Sequence, residues 1–181
     1  MFTAAARIFR EKGYSAASVQ DIAEAAGMQK GGLYYYIDSK EDLLYQIMDH
    51  GISVLLASLE AIVSKTMAPS QKLRLAIESN IISIVEDPDS MIVALKERQA
   101  LSPGHLSAYV IKRDRYEALF RQIIQEGIRR NEFRPVDEKL TVFALLAMCN
   151  GVAEWYRPSG PLPPRDVSRF FSQFVLDAIR A

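Results

Sequence analysis

Residues 18–42 read SVQDIAEAAGMQKGGLYYYIDSKED, and the caps and apolar spacing in this stretch decide the fold. Ser18 with Asp21 three positions later is an acidic variant of the capping box, so a helix is expected from Val19. Ile22, Ala23 and Ala26 give that helix a small apolar face, and Gly27 ends it, being free of the Cβ penalty of the left-handed region. A second short helix is predicted from Gln29 through Leu33 to about Tyr36, broken at Asp38 and Ser39. Ser39 with Asp42 repeats the cap signal, which starts a third helix at Lys40.

Two short helices about a glycine-containing turn form a helix-turn-helix, whose second member can lie in the major groove. Gln29 suits paired hydrogen bonds to an adenine edge, and Lys30 suits a guanine edge or a phosphate. Gly31 and Gly32 let the backbone approach a duplex, while Tyr34 and Tyr35 offer hydroxyls to phosphate oxygens. Lys40 sits at a helix N-terminus, where backbone donors and the dipole favour an anion. Any one of three consecutive tyrosines reads more readily as core packing, and Tyr36 is expected to turn inward. The candidate DNA-binding residues are therefore Ser18, Gln29, Lys30, Gly31, Gly32, Tyr34, Tyr35 and Lys40.

The order Ser18, Asp21-Ile22-Ala23, Ala26-Gly27, Lys30-Gly31, Leu33-Tyr34-Tyr35 and Ser39-Lys40-Glu41 closely resembles the N-terminal domain of the TetR family of bacterial transcriptional regulators, over residues 2–48. The resemblance implies that Tyr34, Tyr35 and Lys40 touch the DNA backbone. Three departures follow. Gly32 stands where Thr, Ser or Ala is usual, which removes a hydroxyl contact and costs about 1 kcal/mol of helix stability relative to Ala. Ile37 replaces a customary Phe, and the chain starts at Met1 without the basic arm that often precedes the first helix, so affinity or operator preference is expected to differ.

Composition narrows the remaining classes. The 181 residues carry a net charge of +0 with 49% hydrophobic residues, and the mean hydropathy is −0.01 with a pI near 6.7. The absence of a leader, signal peptide or transmembrane run leads to an expected cytoplasmic location with no membrane partner. The neutral balance argues against nonspecific nucleic-acid binding. Residues 1–50 hold five basic residues (Arg7, Arg10, Lys12, Lys30, Lys40) against seven acidic ones (Glu11, Asp21, Glu24, Asp38, Glu41, Asp42, Asp49), a net of minus two. Each head is thus expected to bind modestly and to need dimerisation.

No alternating strand pattern or internal repeat occurs, so an all-α fold is expected, divided into a DNA-binding head at 1–46 and a ligand-binding and dimerisation body at 47–181. The head begins with a scaffold helix whose stripe is Phe2, Ala5, Ala6, Ile8 and Phe9, and a long helix from Lys40 to about Met67 joins it to the body. Ser70 is the expected cap of the next helix. Residues 140–153 (LTVFALLAMCNGVA) form a helix apolar almost all round, and residues 166–179 place Val167, Phe170, Phe171, Phe174, Val175 and Ala178 on one wide stripe. Two such helices need another surface, and the economical solution is a four-helix interface between two copies, with Phe143, Leu146, Phe170, Phe171 and Phe174 at its centre. A two-fold pair then reads two half-sites about 34 Å apart. A large monomeric core is the alternative.

The family resemblance implies an effector pocket among the middle helices, for which the candidates are Met67, Met91, Leu95, Arg98, Tyr109, Arg113, Tyr116, Asn150 and Glu154. Asn150 and Glu154 stand out as polar residues four apart in an apolar helix. The segments Arg113-Asp114-Arg115-Tyr116, Glu126-Gly127, Glu132-Phe133-Arg134-Pro135 and Trp155-Tyr156-Arg157-Pro158 are similar to body domains of family members that answer to fatty-acyl or steroid-derived CoA thioesters. Arginines facing a mixed tunnel would suit a CoA phosphate. His50 and His105 are isolated, Cys149 lies in an apolar run, and no metal-spaced cluster or nucleotide-binding motif occurs, so neither metal nor cofactor nor enzymatic activity is expected. The expected function is a repressor that leaves a palindromic operator when a hydrophobic or acyl-CoA-type ligand binds. The alternatives are a protein of this fold that acts through protein–protein contacts without DNA, for which the acidic head and Gly32 speak, and a helical enzyme.

Overall fold

Sequence signals for helix starts and stops account for most of the architecture. The computed structural model describes residues 1–181 as ten α-helices and one 3₁₀ turn: α1 (Phe2–Lys12), α2 (Val19–Ala25), α3 (Lys30–Leu33), α4 (Lys40–Val63), α5 (Pro69–Glu86), α6 (Pro88–Lys96), the 3₁₀ turn Arg98–Ala100, α7 (Pro103–Arg129), α8 (Glu138–Asn150), α9 (Val152–Trp155) and α10 (Pro164–Ile179). The fold is all-α, and an isolated bridge between Phe133 and Arg180 is its one β-type pairing. The capping box of α2 is present, with Asp21 N–H donating to Ser18 Oγ at 3.0 Å and Ser18 N–H to Asp21 Oδ2 at 2.9 Å. Gly27 takes φ 65°, as the left-handed stop requires.

Several boundaries differ from expectation. α3 closes at Leu33, and the bonds from Tyr35 N–H to Gly32 O and from Tyr36 N–H to Leu33 O tighten residues 34–36 into a turn. Two adjacent glycines in a four-residue helix explain why it does not propagate. Ser70 does not cap α5; its N–H donates to Glu132 Oε2 at 3.0 Å, and Pro69 occupies the first helical position. α8 ends at Asn150, and Gly151 separates it from the four-residue α9.

The chain divides into two compact units, Met1–Ser53 with Asp87–Ile111, and Val54–Glu86 with Lys112–Ala181. By packing, residues 87–111 group with Met1–Ser53, which the expected linear division at residue 46 did not include. Ion pairing of Arg10 with Asp89, and a bond from Tyr14 N–H to Glu97 Oε1 at 3.2 Å, hold α6 and the 3₁₀ turn against α1. Glu41 accepts from Ser102 N–H at 2.7 Å and lies 2.9 Å from His105 Nδ1, while the His105 ring stacks on Tyr45 with centroids 3.9 Å apart. The core of this unit is Ala5, Ala6, Phe9, Ile22, Leu33, Leu43, Leu44, Met48 and Val93, whereas Phe2 is exposed.

The second unit is built around α5, which packs against α8, α9 and most extensively α10. Leu73, Ile77, Ile81 and Ile84 of α5 meet a core that includes Leu119, Phe120, Ile123, Ile124, Val142, Leu145 and Leu176. A Cβ at Gly127 would lie 2.1 Å from the Phe133 ring, so only glycine fits there. The unit's chain end is fastened by Arg134 N–H to Ile179 O at 2.9 Å and Ala181 N–H to Glu132 O at 3.1 Å.

Helix α4 ends at Val63, short of the expected Met67. Its 24 residues include an 18-residue window of mean hydropathy 1.3, long and apolar enough by composition to cross a membrane. Its apolar side chains instead enter core: Leu43, Leu44, Ile47, Met48 and Ile52 in the first unit and Leu55, Leu59 and Ile62 in the second.

Candidate nucleic-acid interface and effector region

In the first unit the turn after α2 presents Gln29, Lys30, Gly31, Gly32, Tyr34 and Tyr35 together on the surface. Tyr35 is 84% exposed. Tyr36, expected inside, is 58% exposed and meets Tyr35 edge-on at 5.2 Å, because the turn that replaces the last part of α3 swings it outward. Leu33 and Ile37 anchor the segment from beneath. Arg10 and Lys12 are engaged by Asp89 and Asp21, the latter pair at 2.7 Å. Lys30 is consequently the cation left on the reading turn itself.

Ser18 and Lys40 are placed differently from that expectation. The Ser18 hydroxyl accepts from Asp21 N–H and donates to Asp21 Oδ2 at 2.8 Å, so it has no donor left for a phosphate. The Lys40 ammonium donates to the carbonyls of Tyr14 and Ala17, each at 2.8 Å, with Ser15 O at 3.5 Å, and sits 4.4 Å from the centre of the Tyr14 ring. A three-donor ammonium is thereby used to tie the α1–α2 loop to the start of α4. The hydrogen bond from Lys12, followed by those from the Ser18 backbone and hydroxyl, holds the Asp21 carboxyl at about 2, well below its ordinary range. Burial alone would push Glu41 upward; the Ser102 N–H and His105 outweigh it and hold its carboxyl below the usual range.

The sequence candidates for an effector pocket are divided between the two units. Met91, Leu95, Arg98 and Tyr109 belong to the first unit, where Leu95 and Arg98 are exposed. Met67 lines a separate surface depression of about 410 Å³ with Lys72, Glu126 and Arg130. Asn150 is half-buried at the end of α8, and Glu154 is exposed on α9 beyond Gly151. Arg113 and Tyr116 lie one turn apart on α7. Tyr116 is buried and accepts a hydrogen bond from Asn80 Nδ2 at 3.0 Å. Asn80 is not among the sequence candidates, although its place in the apolar stripe Leu73, Ile77, Ile84 is a readable signal. Burial pushes the Cys149 thiol up to about 12, which leaves it an inert core residue.

The outer faces of α8 and α10 carry Leu140, Phe143, Phe170 and Phe174, all exposed. Phe170 and Phe174 stack with centroids 6.3 Å apart, and half-buried Phe171 stacks on Trp155 at 6.3 Å. The stripe expected on α10 is therefore split, with Val167 and Val175 turned into the unit and the phenylalanines outward. α8 is divided likewise: Val142, Leu145 and Cys149 are buried, Leu146 half-buried and Phe143 outward.

An exposed helix-turn-helix on an all-α chain with a helical body defines a DNA-binding transcriptional regulator. The family model of tetR-type bacterial regulatory proteins matches residues 2–47, and that of the tetracyclin repressor-like C-terminal domain matches residues 66–179. The chain belongs to the TetR family of bacterial transcriptional regulators. It is 28% identical over 177 residues to the HTH-type transcriptional repressor KstR2 of Mycobacterium tuberculosis, covering 97% of this chain and 88% of that protein. The structure of that ketosteroid transcriptional regulator superposes with a TM-score of 0.92 at 27% identity, over 99% of this chain and 93% of the other. PfmR from Thermus thermophilus gives a TM-score of 0.89 at 34% identity, over 97% and 96% of the two chains. AibR, solved with isovaleryl coenzyme A and operator DNA, gives 0.83 at 26% identity, over 96% and 94%.

Proposed function

We propose that the chain is a homodimeric cytoplasmic repressor that holds a palindromic operator through Gln29, Lys30, Tyr34 and Tyr35 and is released by an apolar, CoA-thioester-type ligand bound in the helical body. The carrying observation is the exposed turn 29–36, where side chains suited to base edges and to phosphates share one surface above a fully buried Leu33. Gly31 and Gly32 permit close approach to the duplex. Ser18 and Lys40 act on DNA indirectly, by fixing the start of α2 and the loop before it.

The outward aromatic faces of α8 and α10 support pairing of two copies, with Phe143, Phe170 and Phe174 at the contact and Leu146 and Phe171 at its edge. Similarity to AibR, which was solved with isovaleryl coenzyme A, supports a CoA-thioester ligand. Helices α4 and α7 each continue from one unit into the other, so a ligand that prefers one arrangement of the body has a covalent route to the heads. A coupling of about 1–3 kcal/mol corresponds to a loss of DNA affinity of roughly 5 to 150-fold. Mobility shift against the DNA flanking the protein's own gene, with and without a panel of acyl-CoAs, is the test. A low-salt shift reversed by a CoA ester supports the proposal; no shift at any salt concentration favours the reading in which the chain acts through other proteins.

A further inference from the structure

Asn80 of α5 is 1% exposed, in the apolar stripe between Ile77 and Ile84. Its Nδ2 donates to the Tyr116 hydroxyl at 3.0 Å, while its Oδ1 has no hydrogen-bond partner. One turn earlier on α7, the covered Nε of Arg113 also lacks one. Its nearest carboxylate oxygen, Glu117 Oε1, is 3.5 Å away, close enough for charge attraction but outside hydrogen-bond geometry. The other buried polar side chains of this unit are matched: Ser172 donates to Arg169 O at 3.0 Å, Ser168 to Arg165 O at 3.1 Å, and Lys72 pairs with Glu126 at 3.3 Å. The two unmatched atoms are thus on Asn80, bonded to Tyr116, and on Arg113, one turn before Tyr116 on α7. Unpaired buried polar groups cost stability, and folds that are otherwise self-consistent keep them where function needs them.

The Tyr116 hydroxyl accepts from Asn80, which leaves its own proton available, and burial raises its pKa so that it stays protonated. The three residues then offer one acceptor, Asn80 Oδ1, and two donors, Tyr116 O–H and Arg113 Nε–H, the last carried about one helical turn (roughly 5 Å) earlier along α7. Phe120, edge-on to Tyr116 at 5.2 Å, and Cys149 are buried apolar residues of the same unit.

We propose that Asn80, Tyr116 and Arg113 are the polar recognition point of the effector site, and that it takes an otherwise apolar ligand carrying a hydrogen-bond donor next to a carbonyl acceptor. The inference rests on the effector reading given above and specifies its chemistry. A donor beside a carbonyl is offered by the amides of a pantetheine arm and by the hydroxyl of a hydroxyacyl chain; a plain acyl ester lacks it.

Calorimetric titration with octanoyl-CoA, 3-hydroxyoctanoyl-CoA and the methyl esters of both acids separates the two sources. A preference of at least tenfold for each hydroxylated probe over its plain partner assigns the hydroxyl; equal binding of both CoA esters, tenfold above both methyl esters, assigns the pantetheine amide. In either case Asn80→Val/Tyr116→Phe reduces the preference to near unity. Binding of the hydroxylated methyl ester without either CoA ester defeats the CoA reading alone, and no binding of any probe overturns the ligand class. A second measurement needs no ligand. The double variant, checked by circular dichroism, keeps or raises the melting temperature of the ligand-free protein, because it removes the unmatched amide. A fall of several degrees, with probe binding as in wild type, assigns the triad to structure and overturns the proposal. Tyr116→Phe alone provides the milder variant should the double one misfold.

Discussion

In the first unit Ser18, Asp21, Lys12, Lys40 and Glu41 all meet partners at bonding distance, whereas in the second Asn80 Oδ1 and Arg113 Nε are covered and unmatched. The contrast follows from where each unit works. A DNA-reading surface is wet until DNA arrives, so its side chains find water, and the framework beneath can be completely bonded. An effector site inside a helical body excludes water, so the groups that recognise the ligand remain unmet in its absence. Complete bonding marks what positions the reader; in the proposed effector site, incomplete bonding marks the groups offered to a ligand.

The largest effect expected is at a place where the body is completely built. Gly127→Ala drives a methyl into the Phe133 ring, and a loss of about 3 kcal/mol or more follows if the ring cannot retreat. Thermal denaturation checks this, and an unchanged melting temperature would mean that the body is looser than described, which blurs the contrast with Asn80. Next, Phe170→Asp with Phe174→Asp on the exposed face should leave the fold intact and abolish the dimer. Paired heads exceed single heads by about 10² to 10⁴ in avidity, so operator affinity should fall in that range. Sedimentation alongside DNA titration decides it.

A third pair of variants separates positioning from contact within the head. Lys40→Ala removes bonds to the carbonyls of Tyr14 and Ala17 and should cost about 1–3 kcal/mol of stability. Operator binding weakens with it, while the salt dependence stays as in wild type. Lys30→Ala should leave stability unchanged and lower the salt slope by about 0.9 for its one phosphate, if phosphate is what it touches. A reversed pattern would return Lys40 to the DNA. The smallest effect concerns pH. Asp21 has a carboxyl depressed to about 2, so its contribution to stability is present above the ordinary carboxylate value and is lost as pH falls from near 4 toward 2. Lys12→Met, which deletes the leading cause, should narrow that window in acid titrations of the melting temperature.

Much of this architecture is legible in the sequence because caps are local. Ser18 with Asp21, Gly27, and Ser39 with Asp42 need only their neighbours, and each is found where its residues put it. The turn at 34–36 is not legible, because apolar periodicity says nothing about how far a helix of two glycines can propagate, and Tyr36 turns outward with it. Lys40 is hidden for another reason: its bonding partners, the carbonyls of residues 14 to 17, lie some two dozen positions away. Asn80 is inconspicuous among isoleucines, yet an amide at a stripe position is the clue. Asn150 and Glu154 draw attention by the same logic, and Gly151 places them on two successive helices, one half-buried and the other exposed.

On the proposed function the reading turn and the Asn80–Tyr116–Arg113 triad are two ends of one switch, and fluorescence anisotropy of labelled operator during titration with the ligand that binds best tests that union most directly. The prediction is that wild type lets go of the DNA while Asn80→Val/Tyr116→Phe, folded and bound to the same operator, holds on at the same ligand concentration. Release of both proteins at one concentration, or of neither, would contradict it.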